Sequence, residues 1–205
     1  MNAPHLPFPT LPTLRVRGRE VLPIVQGGMG VGVSAHRLAG AVAEAGGVGT
    51  LSSVDLRRHH PDLMSLTNRS RDKQAIDAVN LIALDREIRA AREHAGGRGL
   101  IAVNIMRAVS EYAPYVRQAC ASGADAIVVG AGLPLDLPEL VADYPEVALI
   151  PILSEARAVG LVMKRWQRKG RLPDAIVIEH PRYAGGHLGA ARIEDVRSEE
   201  HTSEL

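Results

Sequence analysis

Residues 100–132 read LIAVNIMRAVSEYAPYVRQACASGADAIVVGAG and contain two apolar runs separated by a helical pattern. The runs at 100–105 and 126–129 are continuous rather than alternating, which is typical of strands in a parallel sheet that is covered on both faces. Residues 109–121 between them carry apolar side chains at helical spacing. The stretch therefore predicts a strand, a helix and a second, parallel strand.

The same alternation of short strands and helices runs along the rest of the chain. Strands are predicted at 21–26, 48–51, 100–105, 126–129, 147–153 and 175–179. Helices are predicted at 34–45, 84–94, 109–121, 137–143 and 154–169, with 55–77 as a long connection and with Ser34, Asp136 and either Ser154 or Glu155 at helix starts. Such consecutive units suit either a doubly wound sheet or a (β/α)₈ barrel, and a complete barrel needs roughly 250 residues.

Composition excludes several classes of protein. The 205 residues carry 24 Lys and Arg against 23 Asp and Glu, a net charge of +1, so nothing favours a nucleic acid or an anionic membrane as partner. Cys120 is the single cysteine, which excludes an intrachain disulfide and a structural zinc cluster. No apolar run reaches the ~18–20 residues of a membrane span, and residues 1–12 do not read as a signal peptide. We therefore expect a protein of the reducing cytoplasm.

The last nine residues, RSEEHTSEL at 197–205, are polar throughout. They read either as an ordinary solvated tail or as the in-frame translation of a sequencing adapter, and the match over all nine residues favours the adapter. The predicted organisation is one domain at 1–196 followed by a non-native tail at 197–205, which is left out of the fold prediction.

The loop QGGMGVGVS at 26–34 is the first candidate site, because it joins a predicted strand to a predicted helix. One interpretation is the G-x-G-x-x-G/A dinucleotide fingerprint, with Gly30, Gly32 and Ala35 in its fixed positions and Asp55 as the acidic partner. A second interpretation is a purely structural glycine turn. Since three residues separate the strand from the fingerprint, we favour a third, a loop whose backbone approaches a flat cofactor.

The second candidate site is the segment IEHPRYAGGHLG at 178–189. His187 lies among glycines past a predicted strand end, where α/β proteins place their chemistry. Its imidazole suits a general base near pH 7, Glu179 adds a carboxylate, and the alternative is a structural or merely exposed histidine. Asn104 is a third candidate, because an amide at a strand end both donates to and accepts from a cofactor ring, although it too has a structural alternative.

Four segments carry a resemblance to a known family: PIVQGGMGVGVS at 23–34, AGGVGTLSS at 45–53, VNIM at 103–106 and AGGHLG at 184–189. Over residues 21–196 the chain resembles the nitronate monooxygenases, formerly called 2-nitropropane dioxygenases. The resemblance implies an α/β fold, an FMN-dependent (β/α)₈ TIM barrel, of which this chain would hold about six of the eight units. The same motifs occur in the related FMN-dependent enoyl-acyl-carrier-protein reductases.

The resemblance also implies roles for individual residues. His187 would be the base that removes a proton from a nitroalkane, or would steady the anionic nitronate. Glu179 and His180 stand where the family often carries Gln or Glu at the end of the sixth strand, and which of them takes that role stays open. The residues expected to bind the cofactor are Gln26, Gly27, Gly28, Met29, Asn104, Glu179, Gly185 and Gly186.

The implied reaction is oxidation of alkyl nitronates or nitroalkanes by O₂ to a carbonyl compound and nitrite, through FMN. A reductase that takes electrons from a reduced nicotinamide is the alternative. A flavin-free lyase or aldolase is disfavoured, because a Schiff-base enzyme needs a lysine at a strand end and Lys73, Lys164 and Lys169 end no predicted strand. The implied partners are the small-molecule substrate and O₂, and a homo-oligomer stays open. We expect an inactive fragment, because the family's phosphate-binding loops follow strands seven and eight.

Overall fold

The computed structural model describes residues 11–179, which form a curved parallel sheet with helices packed on its outer face. The strands are β1 (Leu14–Val16), β2 (Arg19–Val21), β3 (Val48–Ser52), β4 (Leu100–Met106), β5 (Ala126–Gly130), β6 (Ala148–Leu153) and β7 (Val177–Ile178). The helices are α1 (His36–Glu44), α2 (Pro61–Thr67), α3 (Lys73–Ala95), α4 (Tyr112–Ala121), α5 (Leu137–Leu140) and α6 (Ala156–Gln167), with a 3₁₀ turn at Leu56–His59.

Strands β3 to β7 pair with one another in chain order, and every pairing is parallel. Ser52 lies opposite Asn104, and Asn104 lies opposite Val128, so the carboxyl ends of neighbouring strands meet at one rim. A doubly wound sheet would place early strands between later ones. The sequential order therefore confirms the prediction of an incomplete TIM barrel and excludes the doubly wound alternative.

The predicted first strand at 21–26 is only partly right. Val25 forms a single parallel bridge with Val48, and the amide of Gln26 donates to the carbonyl of Val48 at 2.9 Å. Val21 belongs instead to the preceding strand β2. Pro23 explains the short pairing, because proline has no N–H to donate to a ladder. The remaining pairing still places this segment beside β3, where a first barrel strand belongs.

An amino-terminal hairpin, β1–β2, is the element that the sequence analysis missed. Its strands pair antiparallel, with Leu14 opposite Val21. Arg17 and Gly18 form the two-residue turn with φ of 48° and 77°, and positive φ at both positions is the geometry of a type I′ hairpin. Val16 is buried with Val21 in the layer on the concave face of the sheet. The hairpin therefore covers part of the barrel interior.

Alternation along β4 shows how the sheet divides the core into two layers. Ile101 and Val103 pack in the larger cluster with the helices, whereas Leu100 and Ala102 belong to the smaller cluster inside the sheet. Because successive strand side chains point to opposite faces, Asn104 follows Leu100 and Ala102 onto the concave face. The strand period thus directs a polar amide toward the barrel interior.

The helices differ most from the prediction in segments rich in polar residues, where the apolar periodicity is weak. α3 begins at Lys73 rather than at residue 84, and the side chain of Asp72 caps it by accepting from the amide of Gln74 at 2.9 Å. The predicted connection 55–77 therefore contains α2, the 3₁₀ turn and the start of α3. Asp136 makes no side-chain cap, and α5 is shorter than the predicted 137–143. Within residues 11–179, no helix is both long and apolar enough to cross a membrane.

Two aspartates hold the amino end of the sheet by the same contact. The carboxylate of Asp125, just before β5, accepts from the amide of Ile101 on β4 at 2.8 Å. The carboxylate of Asp174, before β7, accepts from the amide of Leu149 on β6, also at 2.8 Å. Each carboxylate thereby satisfies a backbone donor near the start of the neighbouring strand.

Candidate functional site

The glycine loop, residues 26–34, is anchored to β3 by the side chain of Gln26. Its Nε2 donates to the carbonyl of Thr50 at 3.0 Å, and its Oε1 accepts from the amide of Thr50 at 3.1 Å. The side chain thus supplies one further ladder pairing where the backbone of the first strand has already turned away. Because both ends of the amide bond Thr50, the structure gives Gln26 an anchoring role in this loop.

Ser34 closes the glycine loop on itself. Its hydroxyl accepts a hydrogen bond from the amide of Met29 at 2.8 Å, and its own amide donates to the carbonyl of Met29 at 3.0 Å. Its carbonyl accepts from the amide of Ser52 at 3.1 Å, and the residue is fully buried. The prediction that Ser34 caps α1 is therefore wrong, because its hydroxyl is used inside the loop and the helix starts after Ala35.

Gly28 lies directly against Asn104. A Cβ atom on Gly28 would lie 2.5 Å from Cβ of Asn104 and 2.7 Å from its Nδ2. Such separations are shorter than real Cβ contacts, so only glycine lets the loop backbone approach the end of β4 this closely. The contact brings a bare stretch of backbone and a carboxamide side by side on the concave face.

A cavity of about 390 Å³ opens at this place, at the carboxyl ends of the strands. Its walls combine bare glycine backbone, apolar side chains, a hydroxyl, a carboxamide and a carboxylate. The lining residues are Gly28, Gly30, Ser52, Val54, Asn104, Met106, Gly130, Ala131, Ile152 and Glu179. This end of a (β/α)₈ barrel is where enzymes of the fold place their active sites.

Arg107 directly follows the cavity residue Met106 and contacts Tyr112 at the start of α4. The guanidinium of Arg107 lies 4.6 Å from the centre of the Tyr112 ring and 3.4 Å from a carboxylate oxygen of Asp136. Burial raises the pKa of Tyr112 well above its usual value, and the negative charge of Asp136 adds to this. The phenol is therefore neutral at physiological pH. No group of three or more His, Cys, Asp or Glu within residues 11–179 is arranged to hold a metal ion.

A family model of the nitronate monooxygenases matches residues 19–204. The chain belongs to the nitronate monooxygenase family. This confirms the resemblance in the sequence. No curated protein sequence matches the chain.

Solved structures share the fold. FabK from Thermotoga maritima is 20% identical with a TM-score of 0.53, over 76% of this chain and 40% of that one. A mutant of the same FabK is 23% identical with a TM-score of 0.58, over 82% and 45%. The nitroalkane oxidase from Streptomyces ansochromogenes is 18% identical over 76% of this chain and 64% of that one, with a TM-score of 0.32. The chain thus spans less than half the length of the FabK structures, which at these identities show the fold alone.

The cavity brings together three of the residues predicted from the family resemblance: Gly28, Asn104 and Glu179. Gln26, Gly27 and Met29 belong to the same glycine loop but do not line the cavity, so their cofactor contacts stay predictions. Gly185, Gly186 and His187, together with His180, lie outside the described residues, and their predicted roles stay predictions as well.

Sequence reasoning missed most of the cavity residues at the carboxyl ends of the strands. They are Ser52 at the end of β3 with Val54 just after it, Met106 at the end of β4, Gly130 at the end of β5 with Ala131 after it, and Ile152 on β6. The register was the missing information, since Ser52 lies opposite Asn104 only in the folded sheet. One signal was present in the sequence, because each of these residues lies close to the carboxyl end of a predicted strand.

Proposed function

We propose that this cavity binds FMN and that the protein oxidises alkyl nitronates with O₂. In balance, two nitronate anions and one O₂ give two carbonyl compounds and two nitrite ions. The observation that carries the proposal is the contact of Gly28 with Asn104 at the mouth of the barrel, in a chain of the nitronate monooxygenase family.

The cavity has the features that a flat flavin ring requires. The absence of a side chain at Gly28 leaves loop backbone exposed to a ring face, in a position that a Cβ atom could not occupy. Val54, Met106 and Ile152 supply apolar walls, which suit the body of an isoalloxazine. The carboxamide of Asn104 both donates and accepts, which suits the polar edge of the same ring.

A bound FMN would supply the redox chemistry between the nitronate and O₂. Asn104 would orient the ring by hydrogen bonds, and the apolar walls would exclude water from the reacting face. The carboxylate of Glu179 repels an anionic nitronate and so would not bind that substrate. It would instead accept hydrogen bonds from donor groups of the cofactor. His187 would hold or remove the proton of a neutral nitroalkane, a role that rests on the family resemblance alone.

The test compares two electron donors under anaerobic conditions. It uses the 205-residue chain and a chimera in which 197–205 is replaced by the corresponding carboxyl part of a nitronate monooxygenase. We expect an alkyl nitronate, and not a reduced nicotinamide, to bleach the flavin absorbance of the chimera. Admission of air should then restore the absorbance and release nitrite.

Other results would replace the proposal. Bleaching by a reduced nicotinamide without any response to nitronate would favour the enoyl-acyl-carrier-protein reductase. Failure of the chimera to retain any flavin would contradict the cofactor assignment itself.

His187→Ala in the same chimera tests the assigned base. We expect the variant to retain flavin, to lose oxidation of neutral nitroalkanes, and to keep more of its activity toward preformed nitronate, which has already lost its proton. The readout is nitrite release with each substrate at several pH values. Equal losses with both substrates would mean that His187 binds charge and does not abstract protons.

A further inference from the structure

Glu87 is a buried carboxylate outside the cavity, in the middle of α3, and only 1% of its surface is exposed. Its Oε2 accepts from the amide of His36 at 2.7 Å and lies 2.8 Å from Nδ1 of the same residue. Its Oε1 lies 3.0 Å from Nε2 of His60, within ion-pair distance but without the alignment of a hydrogen bond. Two separate segments of the chain therefore converge on one carboxylate.

Burial of this carboxylate needs a physical reason. A charge removed from water is costly unless polar partners surround it, and an apolar side chain would fill the same space without that cost. All of the contacts to Glu87 described above come from His36, which follows the glycine loop in the chain, and from His60, whose neighbour His59 packs on that loop. The carboxylate thus fixes the place of these two residues rather than adding to the apolar core.

The first connection to the glycine loop runs through the start of α1. His36 is the first residue of this helix, and Ala35 before it offers no side-chain cap. Glu87 supplies the cap from another helix, and a negative charge at a helix N-terminus also interacts favourably with the helix dipole. Ser34, two residues before His36, makes both of the hydrogen bonds that close the loop on Met29.

The second connection runs through His59, the neighbour of His60. The imidazole of His59 packs on Gly32 so closely that its Nε2 occupies the space of a Cβ atom on that glycine. Gly32 also has a φ of +65°, which a residue with a side chain rarely adopts. The middle of the glycine loop thus packs on His59, and the next residue, His60, lies within ion-pair distance of Glu87.

We propose that Glu87 is a positioning residue that holds the glycine loop in place through His36 and His60. The proposal rests on the proposed function only where it describes that loop as part of the flavin site. Glu87 fixes the amino end of α1 and the segment 59–60 relative to α3. The loop between the first strand and α1 therefore keeps the shape that brings Gly28 to Asn104.

The test measures amide hydrogen exchange at single residues in the 205-residue chain, with no flavin present. The reporters are the amides of Met29 and Ser34. The first donates to the hydroxyl of Ser34, and the second donates to the carbonyl of Met29. The amide of Ile127 in the centre of β5 serves as reference. We expect Glu87→Ala to speed exchange at both loop reporters about tenfold relative to Ile127, the equivalent of one lost charge-assisted hydrogen bond.

Two further variants keep the test decisive. Glu87→Gln retains an oxygen that can accept from the amide of His36, so we expect it to restore part of the protection, and it replaces Glu87→Ala if that variant does not fold. Glu44→Gln is the matched control, because Glu44 also contacts a histidine, His94, at 3.5 Å but is half-exposed at the other end of α1. We expect no change at the loop reporters in this control.

The outcomes separate this inference from the proposed function. Exchange at Met29 and Ser34 that rises no more than at Ile127, or that rises equally in Glu44→Gln, would overturn the positioning role. Selective loss of protection confirms the role whether or not flavin binds. The same variants placed in the FMN-binding chimera should also weaken FMN affinity. Selective loop opening in a protein that never binds FMN would refute the proposed function and leave the role of Glu87 standing.

Discussion

The two ends of the parallel sheet are built in opposite ways. At the amino end, carboxylates bond backbone amides and arginines from the hairpin bond the carboxylates: Arg19 lies 2.6 Å from Asp125, and Arg17 lies 3.5 Å from Asp174. At the carboxyl end, the strands finish around a cavity lined by glycine backbone and a few polar side chains. One end is covered and the other is open.

The two ends show where each kind of residue acts. Paired charges that satisfy backbone groups contribute to stability, and in a (β/α)₈ barrel they are expected at the amino end of the strands. Open backbone and convergent polar groups contribute to binding, and they are expected at the carboxyl end. Substitutions at the amino end should therefore change the free energy of unfolding, whereas those at the carboxyl end should change binding more than stability.

The largest loss of stability is expected from Asp125→Ala. Its removal leaves the buried amide of Ile101 without its acceptor and Arg19 without its ion-pair partner, a cost of about 3 kcal/mol. Denaturant unfolding measures the loss, and Asp125→Asn, which retains an acceptor, should lose less. If the variant unfolds like the wild type, these contacts do not stabilise the amino end of the sheet.

Gly28→Ala tests the open end. The added methyl group would collide with Asn104, so we expect a displaced loop, a loss of about 2 kcal/mol in stability from overpacking, and a larger proportional loss of FMN affinity in the chimera. The neighbouring Gly27 is the matched control, because a Cβ atom there meets nothing within 4 Å. Equal effects of Gly27→Ala and Gly28→Ala on unfolding would show that contact with Asn104 does not constrain the loop.

Gln26→Ala should cause a smaller loss of stability. It tests whether a side chain of the glycine loop stabilises the protein or is available for binding. The variant loses both hydrogen bonds to Thr50, for which we expect about 1–2 kcal/mol of lost stability and faster hydrogen exchange at the amide of Thr50. Gln118→Ala, which loses a single bond to the hydroxyl of Ser122, is the control. An unchanged exchange rate at Thr50 would mean that Gln26 is free to contact a cofactor instead.

The smallest effect is a pH dependence at Asp55, just beyond β3. Burial raises the pKa of Asp55, but the hydrogen bonds from Arg58 and Arg57 outweigh it and hold the pKa below the usual 3.8. A carboxylate with a lowered pKa in the folded state stabilises the protein above the unfolded-state value, and this contribution disappears as the pH falls through the folded-state pKa. Unfolding free energies at neutral and acid pH should therefore differ less in Asp55→Asn than in the wild type.

The sequence predicted the elements whose signal is local. The strands β3 to β6 could be predicted because their apolar runs are continuous and do not alternate with polar residues. Asn104 was assigned to the site from its place at a strand end. Ser34 misled because its hydroxyl suits a helix cap, yet Met29 uses that hydroxyl. The cap of α1 comes from Glu87 on another helix, a contact that no local pattern encodes.

The hairpin and the cavity walls show two further reasons for what was missed. The turn at Arg17 and Gly18 is a two-residue hairpin signal, but the flanking strands have only three residues each, too few for a convincing alternation. The cavity depends on register, because Ser52 and Ile152 come to the same space only through the pairing of the strands between them.

The amino-terminal hairpin also has a consequence for the order in which the molecule assembles. A two-stranded hairpin alone is marginally stable in water, and the partner of Arg19 lies 106 residues further along the chain. Ordering such distant segments requires the closure of a long loop, which slows folding. We therefore expect the hairpin to dock among the last elements, after β4 and β5 have paired, so that the barrel interior is covered from its amino end only late in folding.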